Sequence, residues 1–172
     1  MVRIPYYELK DTDTDKTALL GRAPKLNVMR IMAHATYPVL EGFVGLVASI
    51  LGAGRLDPSL RELAIIRTGI LCGSEYEVFQ HTKMARRMAM PEEKIEALSV
   101  GSSSPAFTDV ERLVLKFTEE IVLNRKAGEE TFRAVEARLS HEEMVELTIA
   151  IGCYVMVSSL LMTFEVDIER KP

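Results

Sequence analysis

Cysteine is scarce: only Cys72 and Cys153 occur in 172 residues, far apart in sequence. Two such residues do not make the disulfide framework of a small secreted scaffold, so buried thiols in a reducing cytoplasm are expected. There is no excess of basic charge. Lys and Arg number 21 against 25 Asp and Glu, a formal net charge of −4, whereas nucleic acid or an anionic membrane as main partner calls for a basic face. The seven basic residues Arg55, Arg61, Arg67, Lys83, Arg86, Arg87 and Lys94 are interleaved with acids and read as solvated helix faces. No low-complexity tract is present, so disorder is expected only at the ends. Met1 to Lys10 has no long apolar run after a basic region and does not read as a secretory signal. The three histidines, His34, His81 and His141, fall at no metal-ligand spacing, and neither metal nor cofactor is expected. No segment alternates with period two between hairpin turns, which leaves an all-α chain.

What is present fits one domain with a sizeable core: 48% of residues are hydrophobic and 27% charged. Leu147 to Phe164 is a run of 18 residues without a charge, at the lower edge of membrane-spanning length. It contains Thr148, Gly152, Ser158, Ser159 and Thr163, and acids flank it at Glu146, Glu165 and Asp167. A core helix, buried partly by a neighbouring subunit, is the expectation.

Residues 1–22, with Pro5 and the Asp/Thr run from Asp11 to Asp15, read as an irregular arm, and residues 23–172 as a single helical domain. Leu26, Met29, Ile31 and Met32 open a periodic segment that Pro38 interrupts. A second helix runs to about Leu51, where Gly52 and Gly54 stop it. Asp57-Pro58 pairs an N-cap acceptor with a first-turn proline and starts a helix to about Leu71. Ser74-Glu75-Tyr76-Glu77 has capping-box spacing, as do Thr108 to Glu111 and Ser140 to Glu143. These boxes start helices to about Met88, to about Leu123, and through the final apolar run. Short helices follow Pro91 and Glu129.

The chemistry concentrates between residues 61 and 85. On a helix starting at Ser74, Glu77 and His81 are four apart and share a face. Tyr76 is placed at the edge of that face, in an exposed first turn. Gly73 allows a tight turn that folds Glu62, on the preceding helix, back toward the pair. A carboxylate beside a histidine fixes the imidazole tautomer, and the histidine moves the proton. The same residues have a plainer reading. Ser74 and Glu77 are explained by N-capping, and His81 by a satisfied core or surface position.

Arg61-Glu62-Leu63, Tyr76-Glu77, His81, Ala85 and Pro91-Glu92-Glu93-Lys94-Ile95 together resemble the core motif of the carboxymuconolactone decarboxylase and alkylhydroperoxidase D-like superfamily. Asn27-Val28-Met29-Arg30, His34, Pro38 and Gly42-Phe43 look like its N-terminal helix pair. The resemblance covers roughly residues 25 to 100. It implies an all-helical bundle of about seven to eight helices, a homotrimer or homohexamer, and a proton relay of Glu62, Tyr76, Glu77 and His81. One departure is decisive. The redox branch of that superfamily has cysteines seven and four residues before the histidine, and here those positions are Ser74 and Glu77, so the two-thiol peroxidase mechanism is expected to be absent.

The function expected from the resemblance is that of a cytoplasmic, cofactor-free lyase or related proton-transfer enzyme on a small carboxylated or lactone-type molecule. His81 is the acid/base, Glu62 and Glu77 orient it, Tyr76 donates to a developing oxyanion, and Arg61 or Arg67 is a candidate holder of a substrate carboxylate. Two alternatives stand beside it. One is a peroxidase-like redox protein that would have to use Cys72, placed just before a helix N-terminus. The other is a non-catalytic small-molecule binder or assembly protein.

Overall fold

The computed structural model describes residues 2–169. Among them are nine α-helices and no strand: α1 (Thr14–Leu20), α2 (Asn27–Met32), α3 (Tyr37–Gly52), α4 (Pro58–Cys72), α5 (Glu75–Arg87), α6 (Glu92–Ala97), α7 (Asp109–Asn124), α8 (Glu129–Glu136) and α9 (His141–Thr163). The all-α expectation is met. The count exceeds seven to eight because α1 lies inside the segment read as an irregular arm. Asp13 organises its start by accepting from the Lys10 amide at 2.9 Å and the Tyr7 hydroxyl at 2.8 Å. Pro38 opens α3 rather than breaking a longer helix, since a first-turn proline forfeits no hydrogen bond.

The chain forms two compact units. The first comprises residues 2–53 and 160–169. In it the amino-terminal segment is clipped to the residues after α9. The Arg3 amide donates to the Phe164 carbonyl at 2.9 Å, and Arg3 Nε to Glu165 Oε1 at 3.0 Å. His34 is structural here: its Nε2 lies 2.8 Å from the Pro5 carbonyl, and its ring meets Tyr7 edge-on at 5.1 Å. These ties make residues 2–22 part of the first unit.

The second unit, Gly54–Ser159, is built around α4. Asp57 caps that helix by accepting from the Ser59 and Leu60 amides, and Pro58 fills its first turn. Nearly every residue from Arg61 to Gly69 is buried, because two hydrophobic clusters share this helix. Ala64 packs with Val114, Phe117, Val135, Leu147 and Ile151 of α7, α8 and α9. Leu63 and Ile66 pack with Ala85 of α5, Ile95 of α6, Leu98 just after it and Leu115 of α7. Full burial of one such aliphatic side chain is worth about 2 kcal/mol, so α4 is the least replaceable element of this unit.

The final helix is the one element among the described residues long and apolar enough to cross a membrane, and half of its most apolar window is buried inside the structure. Met144, Leu147, Ile151, Tyr154, Ser158 and Leu161 form its buried stripe, while Val145, Ile149 and Met156 are exposed.

Candidate active site

The α4–α5 turn sets the site. Gly73 ends α4 in the left-handed region at φ 72°, which costs a residue without Cβ nothing. Its amide donates to the Ile70 carbonyl at 3.0 Å and the Ser74 amide donates to Gly69 at 2.9 Å, so α5 turns back onto α4 within two residues. Gly69 lets the helices close: a Cβ there would stand 3.2 Å from Glu77 Cβ and 3.3 Å from a Val78 methyl carbon.

That closure brings together three of the residues singled out in the sequence. His81 Nδ1 lies 2.8 Å from Glu62 Oε2. His81 Nε2 lies 3.5 Å from Glu77 Oε2, beyond a strong hydrogen bond but within ion-pair range. Exposure is 0% for Glu62, 4% for Glu77 and 5% for His81, so the imidazole sits between two carboxylates almost out of water. Burial, above all, raises the Glu77 carboxyl pKa above its ordinary value; His81 opposes the rise and the nearby Glu62 adds to it.

The capping explanation of Ser74 and Glu77 does not hold. Ser74 makes no side-chain cap, and its Oγ is buried without a hydrogen-bond partner. The boxes at Thr108 and Ser140 do form, with Glu111 and Glu143 each accepting from the backbone amide three residues earlier. Glu77 occupies the same helical position as those two glutamates but turns inward, to the histidine.

Tyr76 is also displaced from expectation. It is 4% exposed, not part of an open first turn. The aromatic ring that packs on the imidazole is Tyr154 of α9, edge-on with centroids 4.7 Å apart. Burial, with Glu77 and Glu62 adding, drives its phenol far above the ordinary value, while Arg61 pulls the other way. Sequence reasoning missed Tyr154 because it lies within the uncharged run, where helical spacing marks it as core and nothing more.

The two arginines separate clearly. Arg67 is committed: Nε donates to Glu119 Oε1 at 2.9 Å, and Nη1 to the Leu98 and Ser99 carbonyls at 2.9 and 3.1 Å. Arg61 is 7% exposed, and its Nε has no hydrogen-bond partner. Neither thiol is activated. Cys72 is the last residue of α4, at the negative end of that helix's dipole and two residues before the Ser74 N-cap of α5, and burial raises its pKa. Burial, with Glu77 adding, pushes Cys153 up to about 11. Among the described residues no group of three or more His, Cys, Asp or Glu side chains is arranged to hold a metal ion.

Residues 37–120, which span α3 to α7 and contain Glu62, Tyr76, Glu77 and His81, match the model of the carboxymuconolactone decarboxylase family. Over this central part the chain is similar to the carboxymuconolactone decarboxylase family. Solved structures superpose on it closely. A protein of unknown function from Agrobacterium tumefaciens, a putative antioxidant-defence AhpD, is 25% identical with a TM-score of 0.75, covering 81% of this chain and 96% of that one. An alkylhydroperoxidase AhpD core protein from Ralstonia eutropha, peroxidase-related and uncharacterised, is 17% identical with a TM-score of 0.81, covering 98% and 92%. The debrominase Bmp8 in complex with 2,3,4-tribromopyrrole is 17% identical with a TM-score of 0.78, covering 98% and 94%. The latter two likenesses are of fold alone. No curated protein matches the chain significantly.

Proposed function

We propose that this chain is a cofactor-free lyase, or a closely related proton-transfer enzyme, acting on a small carboxylated or lactone-type molecule. The observation that carries the reading is the 2.8 Å contact between His81 Nδ1 and the fully buried Glu62. An ionised carboxylate only accepts, so Glu62 holds the proton on Nδ1 and leaves Nε2 as the atom that takes up or delivers a proton. Loss of carbon dioxide from a lactone acid leaves an enolate-like carbanion that must be protonated on carbon away from bulk water. Glu77, its carboxyl pKa raised by burial, faces Nε2 at 3.5 Å. Tyr76 is the proposed donor to the developing oxyanion, and Tyr154 confines the imidazole plane.

The test is carbon dioxide release from carboxymuconolactone by the wild type and by His81→Ala. The expected outcome is a loss of roughly 10²-fold or more in kcat with an unchanged circular dichroism spectrum, the scale of a positioned acid/base. Wild-type turnover by that variant, or no release by the parent, ends the proposal.

A thiol-redox reading draws on the antioxidant-defence neighbour, but the raised pKa values of both cysteines work against it. Cys72→Ser is expected to leave any hydroperoxide consumption unchanged; a clear loss would favour the redox reading instead. We also propose a cytoplasmic homo-oligomer, a trimer or hexamer, with no nucleic-acid or membrane partner.

A further inference from the structure

We propose that Arg61 is the anion-binding residue of this site and that it takes a carboxylate of the substrate, side-on, through Nε. The proposal rests on the lyase reading for the class of ligand, but its own support is separate.

Arg61 and Glu62 are the only charged residues in the buried part of α4 between Arg61 and Ile66. Glu62 has His81 as partner; Arg61 has no partner for its Nε, although it is 7% exposed. Leaving a buried charged donor unmet is among the costlier things a fold can do, and removing such a charge is often neutral or stabilising. A guanidinium retained under those conditions is suited to a partner that arrives later. Its Nε edge offers two parallel N–H groups, which match the two oxygens of a carboxylate.

The group is also in the right neighbourhood. Arg61 acts electrostatically on the Tyr154 hydroxyl, as do Glu62 and Glu77, and the Tyr154 ring lies against His81. A cation here offsets the two carboxylates that would otherwise repel an anionic substrate. Arg67 is no competitor, because Glu119 and the carbonyls after α6 occupy it. The second oxygen of Glu62, Oε1, is buried and without a partner as well. The ligand that answers both demands carries an anionic acceptor for Arg61 and a hydroxyl or enol donor for Glu62.

The experiment is calorimetric titration of the full chain with γ-butyrolactone-γ-carboxylate and with its methyl ester as the neutral twin. The acid is expected to bind saturably and the ester at least about tenfold more weakly, the scale of one charge-assisted hydrogen bond. Arg61→Met is expected to abolish that preference and Arg61→Lys to keep part of it. Without ligand, Arg61→Met is expected to melt at a temperature no lower than the wild type, which a structural arginine would not allow. Equal binding of acid and ester, no saturable binding of the acid, a preference that survives Arg61→Met, or a melting temperature several degrees lower would each overturn the assignment.

His81→Ala is expected to retain the acid preference. If turnover survives His81→Ala while the preference stands, the relay fails and the anion site does not. If turnover is lost with no acid preference in the parent, the anion site fails alone.

Discussion

Glu77 is held as a buried acid whose pKa lies above that of an exposed carboxylate, chiefly through desolvation. Its sign on stability follows from linkage. In the folded protein Glu77 keeps its proton to a higher pH than in the unfolded chain. The contribution is therefore complete below the ordinary carboxylate pKa and is lost as pH rises through the folded value. Glu77→Gln, permanently neutral and of the same shape, should lose nothing on that path. Its melting temperature relative to wild type is expected to climb between acidic and neutral pH. A difference that stays flat across that range would show that the carboxylate is not penalised in the fold. The sequence made Glu77 visible through its four-residue spacing from His81, yet N-capping was a sufficient explanation of it. Only tertiary packing separates the two, because a glutamate at the third position of a helix can reach back or turn inward with the same backbone. Arg61 posed the opposite difficulty. Among interleaved charges it reads as solvated, and nothing local announces that α4 is buried on nearly all sides.

Helix boundaries were the most legible feature at the scale of elements, because proline, glycine and acceptor side chains act locally. Asp57-Pro58 starts α4, Gly73 ends it, and Thr108 starts α7 as their chemistry requires. The start of α1 was obscured, since Asp and Thr favour turns by propensity and the helix there depends on contacts made by Asp13. What no propensity reveals is how closely two helices approach. At Gly69 an added methyl group would stand 3.2 Å from Glu77 Cβ and 3.3 Å from a Val78 methyl carbon, a fit tight enough that these neighbours would have to shift by a few tenths of an ångström. Gly69→Ala is expected to cost roughly 1–3 kcal/mol, the usual range for forcing extra atoms into a packed interior. Because the pressure falls on Glu77 Cβ and Val78, it should also lower kcat more than a surface alanine substitution with the same loss of stability. Denaturant unfolding alongside turnover checks both; an unaltered midpoint would mean that the helices already have room to yield.

For the whole molecule, the outer side of α9 is the feature that the monomer does not explain. Val145, Ile149 and Met156 are 58%, 44% and 48% exposed along a helix whose other side is core. Phe132, His141 and Thr148 border the same side near its start, in an apolar groove with Phe117 and Met144. An exposed apolar stripe of this kind suits the symmetric self-association proposed above. Ile149→Glu is expected to shift the sedimentation profile toward the monomer while leaving helicity intact. A profile identical to wild type would place the subunit contact elsewhere. The sequence indicated this helix by its uncharged length, and half of its most apolar window is buried inside the structure.

The inward turn of Glu77 also bears on how one scaffold comes to support different reactions. Residue 77 is four positions before the imidazole, so whatever atom it carries is delivered to His81 by the geometry of the turn at Gly73 and Gly69. An oxygen acid there can hold a proton; a sulfur there would give one of the two thiols of the redox mechanism. The two occupy the same space and cannot coexist. Thiol chemistry in place of proton transfer would require a cysteine at this single address and another at Ser74, with the rest of the architecture left as it is.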